Sequence, residues 1–243
     1  SICVYYDDVI NKTRYYENAK EAAELYFEES GCKMGGHICL LEQKVEEAKR
    51  ELMKAMYLCM HVINALEAIR FYVSFACTFN FHKNMEIMEG NSKIMKFIAR
   101  DEQLHLKGTQ FIIRSWQQGE DGQEWIDIAK ECEQEAIDIF MEVNRQEKEW
   151  AEYLFKDGSL PGLNVDLLNS FVDYLTVGRM RSCGLPCPIT DAPTRHPLPW
   201  IREYLNSDTV QSAPQEVEIS SYLVSQIDND VDDNMLQGYR KYL

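Results

Sequence analysis

The feature that most constrains the fold is a pair of long apolar segments near the middle of the chain. CMHVINALEAIRFYVSFACTFNF begins at Cys59, and NSKIMKFIARDEQLHLKGTQ follows it after a short polar stretch, HKNMEIMEGN. Both segments have helical composition and length. The pattern predicts a helical hairpin from about Cys59 to Thr109, with two antiparallel arms and a turn within the polar stretch.

Each arm carries carboxylates where burial is expected. Glu102 and His105 form an E-x-x-H pair on the second arm, and residues three apart lie on one face of a helix. Glu67 on the first arm is almost as far from a turn near residue 85 as Glu102 is. Because a helix rises about 1.5 Å per residue, we expect the two carboxylates to reach the same height and to face His105.

Apolar side chains share these faces. Phe71 and Phe75 follow Glu67, and Ile98 precedes Glu102. An ionised carboxylate is unfavourable in such surroundings unless it is paired or binds a metal. Carboxylates with one imidazole favour iron or manganese over an all-thiolate zinc site. The hairpin is therefore predicted to form one wall of a metal site.

The predicted site is only half of a known arrangement. Four-helix carboxylate sites for two metals take a Glu from each of two helices and a Glu-x-x-His from each of two others. None of the remaining histidines, His37, His61, His82 and His196, has Glu three residues before it. E-x-x-H alone is a weak signal, so the residues by themselves leave open that His105 is an ordinary core or surface histidine.

The rest of the chain has helical patterns separated by Gly and Pro, without a set of alternating strands. These patterns predict an all-α fold with a helical domain over 1–205 and a flexible, acidic tail over 206–243. The predicted helices cover 4–30 (with a break near 11–13), a run of about 40 residues from Glu42 into the first arm, 123–155, 165–184, and a short one in PWIREYLN.

Composition excludes some functions. The net charge of −15 argues against binding to a phosphate backbone. Eight cysteines in a chain of 243 residues do not form a disulfide framework and suggest a reducing cytoplasm. No signal peptide and no uninterrupted apolar run of about 18 residues is present, so no membrane partner is expected. The chain begins without Met, as if within a helix, so we expect a processed, split or truncated product.

Several motifs in order make the sequence recognisable: ALEAIRFYVSFACTF, IARDEQLHLKGTQ, EKEWAEYLFKDGSLPGLN and, in the tail, VQSAPQEVEISSYLVSQID. With these, the chain resembles the small, radical-generating subunit of class Ia ribonucleotide reductase, of the bacterial and T-even-phage type. The resemblance implies a ferritin-like helical bundle and a cytoplasmic location, in the host if a phage encodes the chain. It also implies a di-iron centre that oxidises a tyrosine, and a large subunit that receives the radical to reduce ribonucleoside diphosphates.

The resemblance also assigns roles to individual residues. Glu67, Glu102 and His105 correspond to ligands of one iron, and Phe71, Phe75 and Ile98 to the apolar shell beside the metals. Asp101, Glu216 and Tyr222 correspond to residues of the radical-transfer route. The end of the tail corresponds to the peptide that docks on the large subunit, although MLQGYRKYL departs from the bacterial ending and puts docking specificity in doubt.

One departure from the family pattern is larger. The family has a second E-x-x-H helix followed shortly by the radical tyrosine, and no E-x-x-H-x-x-x-Y occurs here. We therefore expect the chain to lack roughly the first third of the subunit, with three ligands, the radical tyrosine and an early tryptophan of the transfer path. A separate chain supplying the N-terminal helices is one possible partner, and the small-subunit homodimer is another.

Three hypotheses follow from the sequence. The leading one is a piece of a ribonucleotide reductase small subunit, inactive alone. The second is a homodimeric di-metal carboxylate oxidase or oxygenase, in which two copies supply two Glu and two Glu-x-x-His. The third is a non-catalytic module that binds the large subunit through its tail.

Overall fold

The computed structural model describes residues 2–30 and 36–206. Within these ranges the backbone forms helices and turns, and the only pairing of strand type is an isolated bridge between Leu160 and Leu163. The predicted all-α class is confirmed. The helices are α1 (Ile2–Ser30), α2 (Gly36–Ala65), a π-helical turn (Leu66–Arg70, hereafter the π-turn), α3 (Tyr72–Met85), α4 (Glu89–Gln118), α5 (Gln123–Glu131), α6 (Glu133–Leu154), α7 (Val165–Ser182), a 3-10 turn (Pro199–Ile201) and α8 (Arg202–Leu205).

The predicted hairpin is present. α3 ends at Met85 and α4 begins at Glu89, so the connection is shorter than the polar stretch suggested. Glu86 and Met88 adopt the left-handed conformation there, with φ of 57° and 59°. A left-handed residue ends a helix sharply, and the second arm therefore returns at once along the first.

Two predictions about the first helices were wrong. α1 runs without a break through residues 11–13, where the Thr13 hydroxyl donates to the carbonyl of Val9 and stays within the helix. The helical run predicted from Glu42 starts earlier, at Gly36. It is also not one regular helix, because the π-turn interrupts it.

The predicted helix 123–155 is divided at Cys132, which has φ −90° and ψ 1°. No Gly or Pro marks this position. The helices on both sides of Cys132 pack against the core: Trp125 of α5 stacks on Trp116 with ring centroids 4.1 Å apart, and Phe140 of α6 is fully buried.

The core lies where α2, α3, α4, α6 and α7 meet, and α1 pairs with α2 along one side. The largest fully buried side chains come from several of these helices and include Tyr57, Tyr72, Phe75, Phe79, Phe140 and Phe171. Burial of apolar side chains between neighbouring helices is what holds a bundle of this kind together.

One helical run in the described part of the chain, Leu40–Met85, is long and apolar enough to cross a membrane. More than half of its most apolar window is buried inside the protein, and a core helix passes the same test. The run is weak support for a membrane span.

Candidate metal centre

The first carboxylate of the site lies on an irregular piece of helix. Glu67 is the second residue of the π-turn, between α2 and α3. A π-turn is a local widening of an α-helix that is frequent at functional sites. Phe71, at the end of this turn, has φ −98° and ψ −6° and interrupts the helix before Tyr72.

The other two side chains lie on the regular helix α4. Glu102 and His105 are on the face of α4 that contacts the π-turn. Nδ1 of His105 lies 3.5 Å from Oε1 of Glu67 and 3.9 Å from Oε2 of Glu102. One possible ligand atom from each of the three residues lies within 4.8 Å of the others. The predicted convergence of the two arms is therefore found.

The arrangement is electrostatically incomplete. Burial raises the pKa of Glu67, His105 opposes this rise, and the negative charge of Glu102 adds to it. Oε2 of Glu67 is buried and has no hydrogen-bond partner. An unpartnered, buried acceptor is unfavourable, and a cation between the carboxylates would satisfy it. Two carboxylates and one imidazole suit a hard or borderline divalent ion such as iron or manganese, so the residues present fit a metal.

One side of the group is open. The side chains of Glu67 and Glu102 are 22% and 19% exposed, whereas that of His105 is 57% exposed. Among the described residues, this is the one group of His, Cys, Asp and Glu side chains with metal-binding geometry. The site thus has one wall formed and the opposite side uncovered.

The predicted apolar shell is divided between core and surface. Phe75 is buried, while Phe71 and Ile98 are 45% and 41% exposed. The rings of Phe71 and Phe75 are 6.4 Å apart. The structure therefore places all three on the two helical arms that form the wall, but only Phe75 is covered by other described residues.

The predicted radical-transfer residues are not brought together within the described residues. Asp101 is exposed, and its Oδ1 lies 3.4 Å from Nε of Arg100 on the same helix. Glu216 and Tyr222 lie outside the described residues, as does the tail from 207 onward.

Sequence reasoning missed one buried residue that contacts the segment just after the π-turn. Glu147 of α6 is only 2% exposed, and its Oε1 accepts a hydrogen bond of 3.0 Å from the amide of Val73, just after the π-turn. Burial raises the pKa of Glu147 to about 7, against the Val73 amide and the charge of Arg70. In sequence it is one of many glutamates on an amphipathic helix, so no local signal sets it apart.

Comparison with known proteins decides the family. The sequence profile described as "Ribonucleotide reductase, small chain" matches residues 12–195, which is more than half of the chain. The chain belongs to the ribonucleotide reductase small-chain family. The predicted resemblance and the ferritin-like all-α architecture that it implied are thereby confirmed.

Individual relatives agree with this assignment. The chain is 71% identical over 243 residues to the ribonucleoside-diphosphate reductase subunit beta of Enterobacteria phage T4, covering 100% of this chain and 61% of that protein. It is 50% identical over 234 residues to the subunit beta of Haemophilus influenzae, covering 96% and 57%. It is 48% identical over 240 residues to the ribonucleoside-diphosphate reductase 1 subunit beta of Salmonella typhimurium, covering 98% and 59%. The chain thus spans about three fifths of the length of these curated relatives.

Proposed function

We propose that this chain carries part of a ribonucleoside-diphosphate reductase small subunit, and that Glu67, Glu102 and His105 hold one ion of its di-iron centre. The observation that carries the proposal is the convergence of these three side chains around a buried carboxylate oxygen without a partner. When bound, the iron supplies the oxidising chemistry by which small subunits of this family form a tyrosyl radical.

The chain's own contribution is to bind and orient. α4 presents Glu102 and His105 together because they are three residues apart. The π-turn presents Glu67 from the facing arm, and buried Phe75 lies further along the same arm. Apolar side chains beside a metal site keep water and easily oxidised groups away from it, and we assign that role to Phe71, Phe75 and Ile98.

The second half of the centre must come from outside the described residues. A complete four-helix site needs a second Glu and a second Glu-x-x-His, and the described part of the chain supplies one of each. The exposed fractions of His105, Phe71 and Ile98 support a covering element over this face. Further helices of the same subunit fit this place best, since the relatives are longer than the chain.

The radical-transfer roles are part of the same proposal. Asp101 adjoins the ligand Glu102 and lies on the uncovered face, where a covering element could reach it. We assign Glu216 and Tyr222 to the relay towards the large subunit, and the tail 206–243 to docking. The substrate is then a ribonucleoside diphosphate, reduced by the large subunit, as the names of the relatives suggest.

Metal titration of the chain tests the ligand assignment. Binding of Mn²⁺ is measured as the loss of the electron paramagnetic resonance signal of free Mn²⁺. We expect this titration to show one bound ion per chain. Glu67→Gln should weaken this binding by about tenfold or more, whereas Glu152→Gln on the exposed face of α6 should leave it unchanged. Equal binding by all three proteins would contradict the assignment.

Two further results separate the alternatives. A stable tyrosyl radical formed by this polypeptide alone with iron and oxygen would overturn the half-site interpretation. A dimer that forms only with metal, is lost in Glu67→Gln and turns over oxygen would favour the homodimeric oxidase.

The docking assignment has its own test. Deleting residues 229–243 should abolish binding to the large subunit and leave the circular dichroism spectrum unchanged. Retained binding would show that the docking surface lies elsewhere in the chain.

A further inference from the structure

The start of α3 depends on a side chain from another helix. First-turn amides of a helix have no carbonyl partner within that helix. The amide of Val73, in the first turn of α3, donates to Oε1 of Glu147 at 3.0 Å. Glu147 therefore caps α3 from the side, at the point where the π-turn ends.

Two neighbouring contacts come from the same face of α6. Nη1 of Arg70 donates to Oε1 of Gln146 at 2.7 Å, and Nε1 of Trp150 donates to Oγ of Ser74 at 3.0 Å. We call Gln146, Glu147 and Trp150 the α6 clamp. All three of its hydrogen bonds go to residues 70–74, which are the last residue of the π-turn and the residues that follow it.

Glu147 is the buried member of the α6 clamp. Glu147 is 2% exposed, whereas Trp150, one turn further along α6, is 41% exposed. A buried carboxylate is unfavourable unless hydrogen bonds and nearby charge compensate it. Its main compensation here is the Val73 amide, and the positive charge of Arg70 adds to it. A leucine would fill this place at less free-energy cost if packing alone were needed.

The register of the π-turn determines where Glu67 points. Successive residues of a helix are rotated by about 100° around its axis. Phe75 and Phe79 anchor α3 in the core, while Tyr57 anchors α2. If the π-turn relaxed to an α-helix between these anchors, the side chains on it would rotate by about one such step, and Glu67 would turn away from α4.

We propose that Glu147 is a positioning residue for Glu67: by holding the Val73 amide it fixes the end of the π-turn, and so the place of the Glu67 carboxylate relative to Glu102 and His105. This inference rests on the proposed metal-binding role of those three residues. It adds to that role a residue on a third helix, which contacts neither the ligands nor the metal.

Three variants of the full 243-residue chain separate positioning from general stability. Glu147→Leu removes the acceptor, and Glu147→Gln keeps an acceptor oxygen without the charge. Asn144→Leu is the matched control, because Asn144 is also buried on α6 but donates to Asp173 and Thr176 on α7, at 3.0 and 2.9 Å. Both leucine variants lose buried hydrogen bonds, but only the hydrogen bond of Glu147 goes to the segment after the π-turn.

Two measurements are made on each variant. Amide hydrogen exchange of the segment 66–75 reports the π-turn without metal, and Mn²⁺ titration reports the ligand group. We expect Glu147→Leu to speed exchange in this segment and to weaken Mn²⁺ binding by about tenfold or more, in line with the effect of residues that orient metal ligands. Glu147→Gln should restore both, and Asn144→Leu should lower the unfolding temperature while leaving both unchanged.

The outcomes are distinct. Unchanged exchange and affinity in Glu147→Leu would overturn the positioning role, as would an equal loss of affinity in Asn144→Leu. If the unmodified chain and Glu67→Gln bind Mn²⁺ equally weakly, the proposed metal site is wrong, and the exchange data still decide whether Glu147 holds the π-turn.

Discussion

His61 is a buried histidine that has no part in the candidate metal centre. It lies on α2 with 0% exposure, edge-on to Tyr57 at a centroid distance of 4.7 Å and near Phe140 at 6.1 Å. Neither ring nitrogen has a hydrogen-bond partner. We expect His61→Phe to remove a pH-dependent loss of folding stability without leaving a cavity in the core.

The magnitude follows from the pKa. Burial lowers the pKa of His61 from 6.5 to about 4. Folding therefore favours the neutral ring, so this contribution to stability is fully present above pH 6.5 and is lost as pH falls towards 4. A shift of this size corresponds to roughly 3 kcal/mol in total, of which about 2 kcal/mol is lost by pH 5.

Urea unfolding at pH 7.5 and pH 5.0 measures this effect. The free energy of unfolding of the unmodified chain should fall between the two pH values by about 2 kcal/mol more than that of His61→Phe. Asn64→Leu is the control: it removes a buried, uncharged side chain one turn away on α2, which donates to Thr109 at 2.7 Å. It should lower stability equally at both pH values. A pH dependence of His61→Phe equal to that of the unmodified chain would refute the reasoning.

Two further predictions concern stability. Burial raises the pKa of Glu147 to about 7, so the stability that its protonated form contributes is lost as pH rises through 7. From acidic pH to pH 9, the free energy of unfolding of Glu147→Gln should therefore gain roughly 3 kcal/mol relative to that of the unmodified chain. An equal decline in both proteins would contradict this. Gly119→Ala should destabilise by about 1 kcal/mol, since Gly119 has φ 74° and a Cβ would lie 2.9 Å from Ile126. Gly178→Ala, in open space on α7, should stabilise by about 0.5–1 kcal/mol, and thermal unfolding of both glycine variants measures the contrast.

Several large apolar side chains of α4 are exposed near the candidate metal centre. Ile94, Leu104 and Phe111 of α4 are 60%, 68% and 70% exposed, in addition to Phe71 and Ile98. Along α4, Ile94 precedes Glu102, Leu104 lies between Glu102 and His105, and Phe111 follows His105. Large exposed apolar areas usually mark a contact with another protein segment, which agrees with the covering element proposed above.

Much of the candidate site could be predicted from residue spacing. Glu102 and His105 had to share a face because helical geometry is local, and Glu67 had to reach them because two arms of nearly equal length meet at one turn. In the structure the turn has only three residues, Glu86–Met88, and the three side chains still converge. The absence of a second Glu-x-x-His could also be read from the sequence.

What the sequence did not reveal depends on contacts between distant residues. The π-turn is not marked by Gly or Pro, and a regular helix was the reasonable expectation for LEAIR. Its end is held by Glu147, which is 74 positions away from Val73, so no local pattern could predict it. The interruption of the helix at Cys132 is likewise not marked by Gly or Pro.

The sequence by itself therefore predicted the all-α class, the hairpin and the convergence of Glu67, Glu102 and His105, because helical periodicity acts over short distances. Only the tertiary structure decided how the ligand-bearing arm is distorted, which helix holds that distortion, and which side of the half-site is open. Those properties come from the packing of whole helices against one another, and the same arm sequence could adopt a regular helix without them.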